Sequence, residues 1–279
     1  MLAILTAVTL TACGGDRGND ADADGGRLSI ATGNTTGVYY QLGGGYARLI
    51  GQNVPGWSAT AEATGASVEN IRRVVAGDSD IAFTLADSAA DAATGKNSFD
   101  APQPIRALAR IYSNYTQVLV RSDAGVKTLA DLKGKAVSTG SPNSGTEVIA
   151  LRLLAAAGLN PDQDITRQKL SLPETVQAMK DGTVKAMFWS GGLPTSGVTD
   201  LITSLKDGVQ FLDLGTELPE LQAEYGDVYQ AATIEPSVYG TPKAVSRSAC
   251  RTCWWSRTPW PTTWPRSSRR CCSSTRPNW

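Results

Sequence analysis

The sequence predicts an α/β fold in two lobes. Three observations carry that expectation. Apolar, strand-like runs alternate with helical patterns; strands open into loops of Gly, Ser, Thr and Asn; and the order strand, small-residue loop, helix occurs in both halves of the chain. Alternation of this kind builds mainly parallel sheets. Ligands of such sheets sit at the loops beyond the carboxyl ends of the strands. Two lobes built this way present their polar loops to each other across a cleft.

In the first half, "RLSIATGNTTGVYYQLGGGYARLI" reads as a strand over 28–31, a loop Gly33-Asn34-Thr35-Thr36-Gly37, and a helix whose apolar residues are Leu42, Tyr46, Leu49 and Ile50. A strand over 58–63 and a turn at Thr64-Gly65 follow. The next helix carries Val68, Ile71, Val74 and Val75 and stops at Gly77, since glycine takes the left-handed conformation that ends helices. Residues 81–85 are apolar with one threonine, as in a strand buried on both faces. Asp87 or Ser88 is placed to cap the helix after it. The run 117–120 is a strand crossing from the first lobe to the second.

The second half repeats the order. "GKAVSTGSPNSGTEVIALRLLAAAGL" gives a short strand at Ala136-Val137, a small-residue loop, and a helix with Val148, Leu151, Leu154 and Ala155 on one face. "SLPETVQAMKDGTVKAMFWSGGLPTSGVTDLI" gives a helix through Val176 and Met179, a stop at Gly182, a strand over 184–188, then another loop and helix. "VQFLDLG" and "TIEPSVYGTPKAVS" are candidates for the return. The expected division is 27–116 for the first lobe, 117–230 for the second and 231–246 for the return toward the first.

Gly140 followed by Gly145-Thr146 has the look of a phosphate loop, but the lysine and adjacent hydroxyl that hold the outer phosphates and magnesium are missing. What remains is a loop opening a helix, whose free N–H groups and positive dipole end favour an anion, a carboxylate as well as a phosphate. Ser144 either contributes to that site or only caps the helix. Lysine plus arginine number 26 and aspartate plus glutamate 26, so charge gives no support for nucleic-acid binding. Histidine is absent, which removes the commonest general base and metal ligand. No cofactor and no metal site are expected. At 41% apolar residues the composition suits a globular protein, and no internal run is long enough to span a membrane.

"MLAILTAVTLTACGGDRGNDADADGG" begins with an apolar stretch that ends in Leu10-Thr11-Ala12-Cys13. This is similar to a bacterial lipoprotein signal, in which the cysteine is acylated. Residues 1–13 are read as that signal, with lipidation at Cys13, and 14–26 as a solvated tether. No basic residue precedes the apolar run, which places the expected start upstream of Met1.

The segments "IATGNTTGVYYQLGGGYARLI", "ATGASVENIRRVVAGDSDIAFTLAD", "ALARIYSNYTQVLVRSDAGVKTLADLKGKAVSTGSPNSGTE" and "YGTPKAV" resemble the TAXI family, the extracytoplasmic receptors of TRAP transporters. The resemblance covers about residues 27–246. It implies a two-lobed fold like the type II periplasmic binding proteins, with the ligand cleft between lobes. It also implies capture of a small organic acid or an amino acid such as glutamate, delivered to a membrane permease. With the lipid anchor, the location would be the outer face of the cytoplasmic membrane. Two departures stand out: Asn34-Thr35-Thr36 where glycine is commoner, and Ala66 in place of a frequent glycine.

Within that frame the candidate ligand contacts come from four loops and two aromatics. Thr35, Thr36, Gly37 and Tyr39 read equally as contacts and as ordinary capping residues. Ser67 and Asn70 fit a first-turn pair facing the cleft. Asp87, with Ser88 beside it, would hold an amine or merely cap. Ser141, Asn143, Ser144, Gly145 and Thr146 supply the anion loop, and Tyr112 and Trp189 flank the ligand or pack the hinge. Arg110 and Arg121 have the right chemistry for a carboxylate, but a surface or structural role suits both better. Two other functions use the same fold. One is a receptor that presents its ligand to a membrane sensor; the other is an enzyme, which needs a nucleophile, and residues 14–249 contain no cysteine and no histidine.

Residues 247–279 change character, with seven arginines, no lysine, no acidic residue, and four of the five cysteines. A zinc site from Cys250, Cys253, Cys271 and Cys272 is disfavoured because Cys271 and Cys272 are adjacent. A shifted reading frame explains the segment better: one base earlier, Cys253-Trp254-Trp255 becomes three apolar residues. The tail is therefore expected to be aberrant, to lack regular structure and to leave a sheet edge unpaired.

Overall fold

The computed structural model describes residues 25–241 and 245–256, with side chains for 25–241. The expected signal with Cys13, nearly all of the tether, and the tail beyond Ser256 lie outside the described residues.

The first lobe is built from β1 (Gly26–Ala31), α1 (Val38–Asn53), β2 (Trp57–Glu62), α2 (Ser67–Ala76), β3 (Ile81–Leu85) and α3 (Ala86–Thr94). β1 pairs in parallel with β2 and with β3. Every residue of β3 is buried, as its apolar run requires. α2 ends at Gly77 in the left-handed conformation, with φ 88°. The chain then enters β4 (Arg106–Arg121), the longest strand.

The second lobe contains β5 (Ala136–Ser138), α4 (Gly145–Ala156), β6 (Thr166–Gln168), α5 (Leu172–Lys180), β7 (Ala186–Gly191), α6 (Ser196–Leu205), β8 (Val209–Phe211) and α7 (Leu218–Tyr225). β5 pairs in parallel with β6 and β7. The return is β9 (Tyr229–Ile234), α8 (Pro236–Tyr239) and β10 (Val245–Ser256). Ten strands join in the order β2-β1-β3-β10-β4-β7-β5-β6, with β8 on β4 and β9 on β10. β4 changes partner along its length: Arg106 to Tyr115 pair with β10, and Tyr115 to Val120 pair with β7. The result is the two-lobed α/β fold that the alternation predicts, with β4 and the β9–β10 return joining the lobes.

Four local expectations need correction. On α1 the buried residues are Tyr39, Gly43 and Ile50, while Leu42 and Leu49 are 38% and 51% exposed. Gly43 sets that face: a Cβ there would lie 2.4 Å from Thr32 Cγ2, so the helix lies against the sheet at its smallest residue. On α4 the buried set is Ile149, Ala150, Arg152, Leu153 and Leu154 with the first turn, and Val148, Leu151 and Ala155 lie outside it. That helix packs against both lobes, so no single apolar stripe marks it. α3 is not capped by Asp87 or Ser88; Leu85 occupies its N-cap and both residues are inside the helix. Finally, residues 247–256 do have regular structure, as part of β10. Residues 252–256 lie between β3 and β4, and 247–250 pair with β9, so the backbone fills the gap that an unstructured tail would leave. Cysteine aside, the paired run Thr252-Cys253-Trp254-Trp255 is rich in residues that favour strands.

A buried ionic cluster ties the lobes together. Arg152 of α4 donates to Asp91 of α3 at 2.5 Å and to the Tyr229 hydroxyl at 3.0 Å, and lies 3.5 Å from Asp87. Tyr229 donates in turn to Asp87 at 2.6 Å, and the Arg152 guanidinium stacks 3.9 Å above the Tyr225 ring. Burial pushes the Asp91 carboxyl up, opposed by the Arg152 charge. The Arg152 guanidinium is held protonated: burial works against its charge, and Tyr229, Asp87 and Asp91 outweigh it.

Two outcomes follow for stability. Arg152→Met leaves two buried carboxylates without their cation and should cost about 3–5 kcal/mol, read as a lower urea midpoint with unchanged slope. Acid should also destabilise the fold. The Asp131 carboxyl is held low by the Lys127 and Thr128 N–H groups, Asp164 by the Asn160 N–H, and Glu174 by the Ser171 hydroxyl. Groups depressed in the folded state contribute stability above their unfolded values, roughly pH 4, and lose it as pH falls. Asp123 and Asp200 are lowered in the same way by Arg121 and Lys180, and Asp91 and Glu217, raised by burial, act in the opposite sense but are two groups against five. The melting temperature should hold from pH 7 to about 5 and drop below about 4; a flat profile to pH 3 would count against these contacts.

Candidate functional site

Three helices begin at one cleft. α1 starts after Gly37 and α2 after Ala66, and neither N-cap residue offers a side-chain acceptor. α4 starts after Ser144, whose Oγ accepts from the Glu147 N–H at 2.9 Å. The first N–H groups of a helix have no partner within it, and the helix dipole adds positive potential at that end. Ala66 has φ 84°, a region costly for any side chain, which here holds the start of α2 against the cleft.

The space between the walls of the cleft, open mouth included, is about 440 Å³. Its aromatic wall is Tyr39, Tyr112 and Trp189. Tyr39 and Tyr112 meet edge to face with centroids 6.2 Å apart. The Trp189 indole N–H donates to Thr195 Oγ1 at 3.1 Å, which fixes the ring. Gly191 leaves room for it: a Cβ there would stand 2.4 Å from Trp189 Nε1. Asn114 donates to the Tyr39 hydroxyl at 3.0 Å from the neighbouring position on β4. Ser67 Oγ accepts from the Leu85 N–H at 3.1 Å, and Thr146 Oγ1 from the Ser190 N–H at 3.1 Å.

The lobes meet around this cleft through their loops. The Asn34 side chain donates to Ser141 Oγ at 3.2 Å and to the Thr64 carbonyl at 3.3 Å, and accepts from the Leu172 N–H of α5 at 2.8 Å. Ser196 Oγ donates to the Thr36 carbonyl at 2.7 Å, and the Glu69 N–H donates to the Asn143 carbonyl at 3.0 Å. Among the described residues, no Asp, Glu, Lys or Arg lines the cleft. Glu69 accepts from the Gly65 N–H at 2.7 Å. Glu147 accepts from the Asn143 N–H at 2.8 Å and pairs with Arg167 and Lys169.

Of the residues singled out in the sequence, Gly37, Tyr39, Ser67, Tyr112, Ser141, Ser144, Gly145, Thr146 and Trp189 line this cleft. Six do not. Thr35 is exposed, and Thr36 meets Ser196 through its carbonyl. Asn70 is buried, donating to the carbonyls of Thr32 and Phe83 and accepting from Thr64 Oγ1. Asp87 belongs to the Arg152 cluster and Ser88 donates its N–H to Asp87. Asn143 accepts from Arg72 at 2.9 Å. Besides these six, Arg110 and Arg121 have the surface and structural places the sequence favours for them: Arg110 is exposed, and Arg121 binds Asp123 and the Met179 carbonyl. Asn34, Val38, Ala66 and Ser190 also line the cleft; they sit in or beside the polar loops that the sequence places there without being singled out as contacts, whereas Leu85 and Asn114 lie on strands and were missed. Asn34 and Ala66 are visible as departures from glycine; Asn114 stands mid-strand inside one of the quoted segments, with nothing in its neighbours that marks it as a lining residue.

Comparison with known proteins agrees with this architecture. The chain is 19% identical to the alkanesulfonate-binding protein SsuA from Xanthomonas axonopodis pv. citri bound to MOPS, over 89% of this chain and 71% of that one, with a TM-score of 0.52. A protein from Bordetella bronchiseptica RB50 matches at 18% identity and a TM-score of 0.55. That match covers 82% of this chain, which spans 63% of the Bordetella protein, less than two thirds. A binding protein component of an ABC phosphonate transporter from Pseudomonas aeruginosa matches at 11% identity, over 89% and 73%, with a TM-score of 0.51. At such identities the likeness is one of fold, the two-lobed type II periplasmic-binding-protein kind. A family model matches residues 30–261, running past Ser246 into the segment of unusual composition, and on that coverage the chain belongs to the NMT1-like family.

Proposed function

We propose that the chain is a solute-binding receptor that captures a small organic acid or amino acid outside the cytoplasmic membrane and delivers it to a TRAP-type permease of the TAXI kind. One observation carries the reading. The loops 33–37 and 140–146, from opposite lobes, are bonded to each other around a cleft into which three helix N-termini open. An anionic head group bound there would meet N–H donors from both lobes, so its capture and the closure of the lobes are one event. The TAXI assignment rests on the quoted motifs, two of which form these loops. Tethering through an acylated Cys13 would keep the receptor beside its permease. The direct test is mass spectrometry of small molecules released when the purified protein is unfolded, followed by calorimetry with the compound found. Release of nothing, with no binding of carboxylates, sulfonates or amino acids, would defeat the reading.

Two substitutions probe the site. Ser144→Asp keeps a capping oxygen at the start of α4, so the fold should survive, yet it sets a carboxylate where the bound anion would be. Affinity should fall at least about tenfold, roughly 1.4 kcal/mol; unchanged affinity in the folded variant would reduce this loop to a cap. Asn34→Ala removes hydrogen bonds from Ser141 and Leu172 that hold the lobes together. At about 0.5–1.5 kcal/mol per bond, the dissociation constant should rise roughly five- to hundredfold, chiefly through faster release. Stopped-flow release at the wild-type rate would show that Asn34 does not hold the closed state.

A further inference from the structure

We infer that the ligand is a singly charged organic anion with an apolar or aromatic body and no ammonium group. This rests on the receptor reading and narrows its ligand class. Recognition of an amino acid calls for an acceptor of high charge beside the ammonium, since a buried cation left unpaired is costly. The residue expected to supply it, Asp87, is in the Arg152 cluster, where it faces Arg152 and Tyr229. The other nearby carboxylates, Glu69 and Glu147, are turned onto the N–H groups of Gly65 and Asn143. Among the described residues, no acidic side chain lines the cleft.

The same inventory limits the negative charge. Among the described residues, no lysine or arginine lines the cleft, so an anion is met by backbone N–H groups, hydroxyls and helix ends alone. Beside the 140–146 loop, Arg72 is bonded to Asn143, and Arg167 and Lys169 to Glu147. Three helix starts of about half a charge each suit one anionic group. A dicarboxylate or a phosphonate dianion would bring a second charge with no cation opposite it. Val38, Leu85, Tyr112 and Trp189 supply apolar and aromatic surface for the remainder of the molecule. Carboxylate and sulfonate heads share the required chemistry.

Calorimetry on the full chain with matched probes decides the matter: leucine against 4-methylpentanoate, phenylalanine against 3-phenylpropanoate, and glutamate against glutarate, with 2-phenylethanesulfonate separating the two head groups. Molecules released on unfolding are identified in parallel. The inference expects a monoanion to bind at least tenfold more tightly than its amine-bearing partner and than glutarate, and any released molecule to have one acidic group and no amine. An amino acid binding as tightly as its partner, glutarate binding best, or a released amine or diacid would overturn it while leaving the receptor reading intact. No binding and no released molecule would remove the receptor reading, and the inference with it.

Discussion

Strand β4 is the constraint on which the other elements depend. Its sixteen residues belong to both lobes, with β10 beside its first ten and β7 beside the rest. Backbone donors and acceptors inside a protein must be paired, so each lobe's sheet has to be completed against this strand. The lobes are thus joined by continuous hydrogen-bonded backbone. Tyr112 and Asn114 stand just before Tyr115, where the partner changes, and both line the cleft. The connection between lobes and one wall of the site are therefore the same few residues.

Charge is distributed with the same economy. The most deeply buried ionic group among the described residues, Arg152 with Asp87 and Asp91, lies between α3 and α4 and outside the cleft lining. Cleft chemistry comes from helix starts, hydroxyls and amides. On the proposed receptor reading, specificity would follow from shape and from the number of N–H donors a ligand can engage at once. The positive φ of Ala66 fits this division, because backbone strain is tolerated where it places donors.

Much of the fold was legible because local chemistry decides it. Gly77 ends a helix in the left-handed conformation, Ser144 caps one through its hydroxyl, and the apolar run at 81–85 is a strand buried throughout. The loops at 33–37 and 140–146 are legible as cleft loops from their small residues and their place between strand and helix. Illegible were the features that only tertiary contacts create. Leu42 and Leu49 look like a core stripe, but Gly43 is the residue that permits close approach to the sheet. Arg152 looks like a solvated helix residue until α3 from the other lobe brings two carboxylates to it. Asp87 follows a strand, as site residues of this fold class do, and its side chain nevertheless points into that cluster. The composition of the last segment argues against structure, whereas the open edges of β3, β4 and β9 impose it on 247–256.

The position of β10 has a consequence for how the molecule is made. β3 and β4 follow each other along the chain, yet in the sheet they are separated by a strand from the far end of the sequence. Until that end has left the ribosome, β3 is held only by its two residue pairs with β1, and the first ten residues of β4 lack their strand partner. Early folding of the first lobe is thereby left incomplete, and the nascent chain exposes two strand edges in the meantime. Pairings so distant in sequence form slowly. The central sheet can therefore close only after residues 245–256 have been made, which leaves the chain before them loosely folded for that interval.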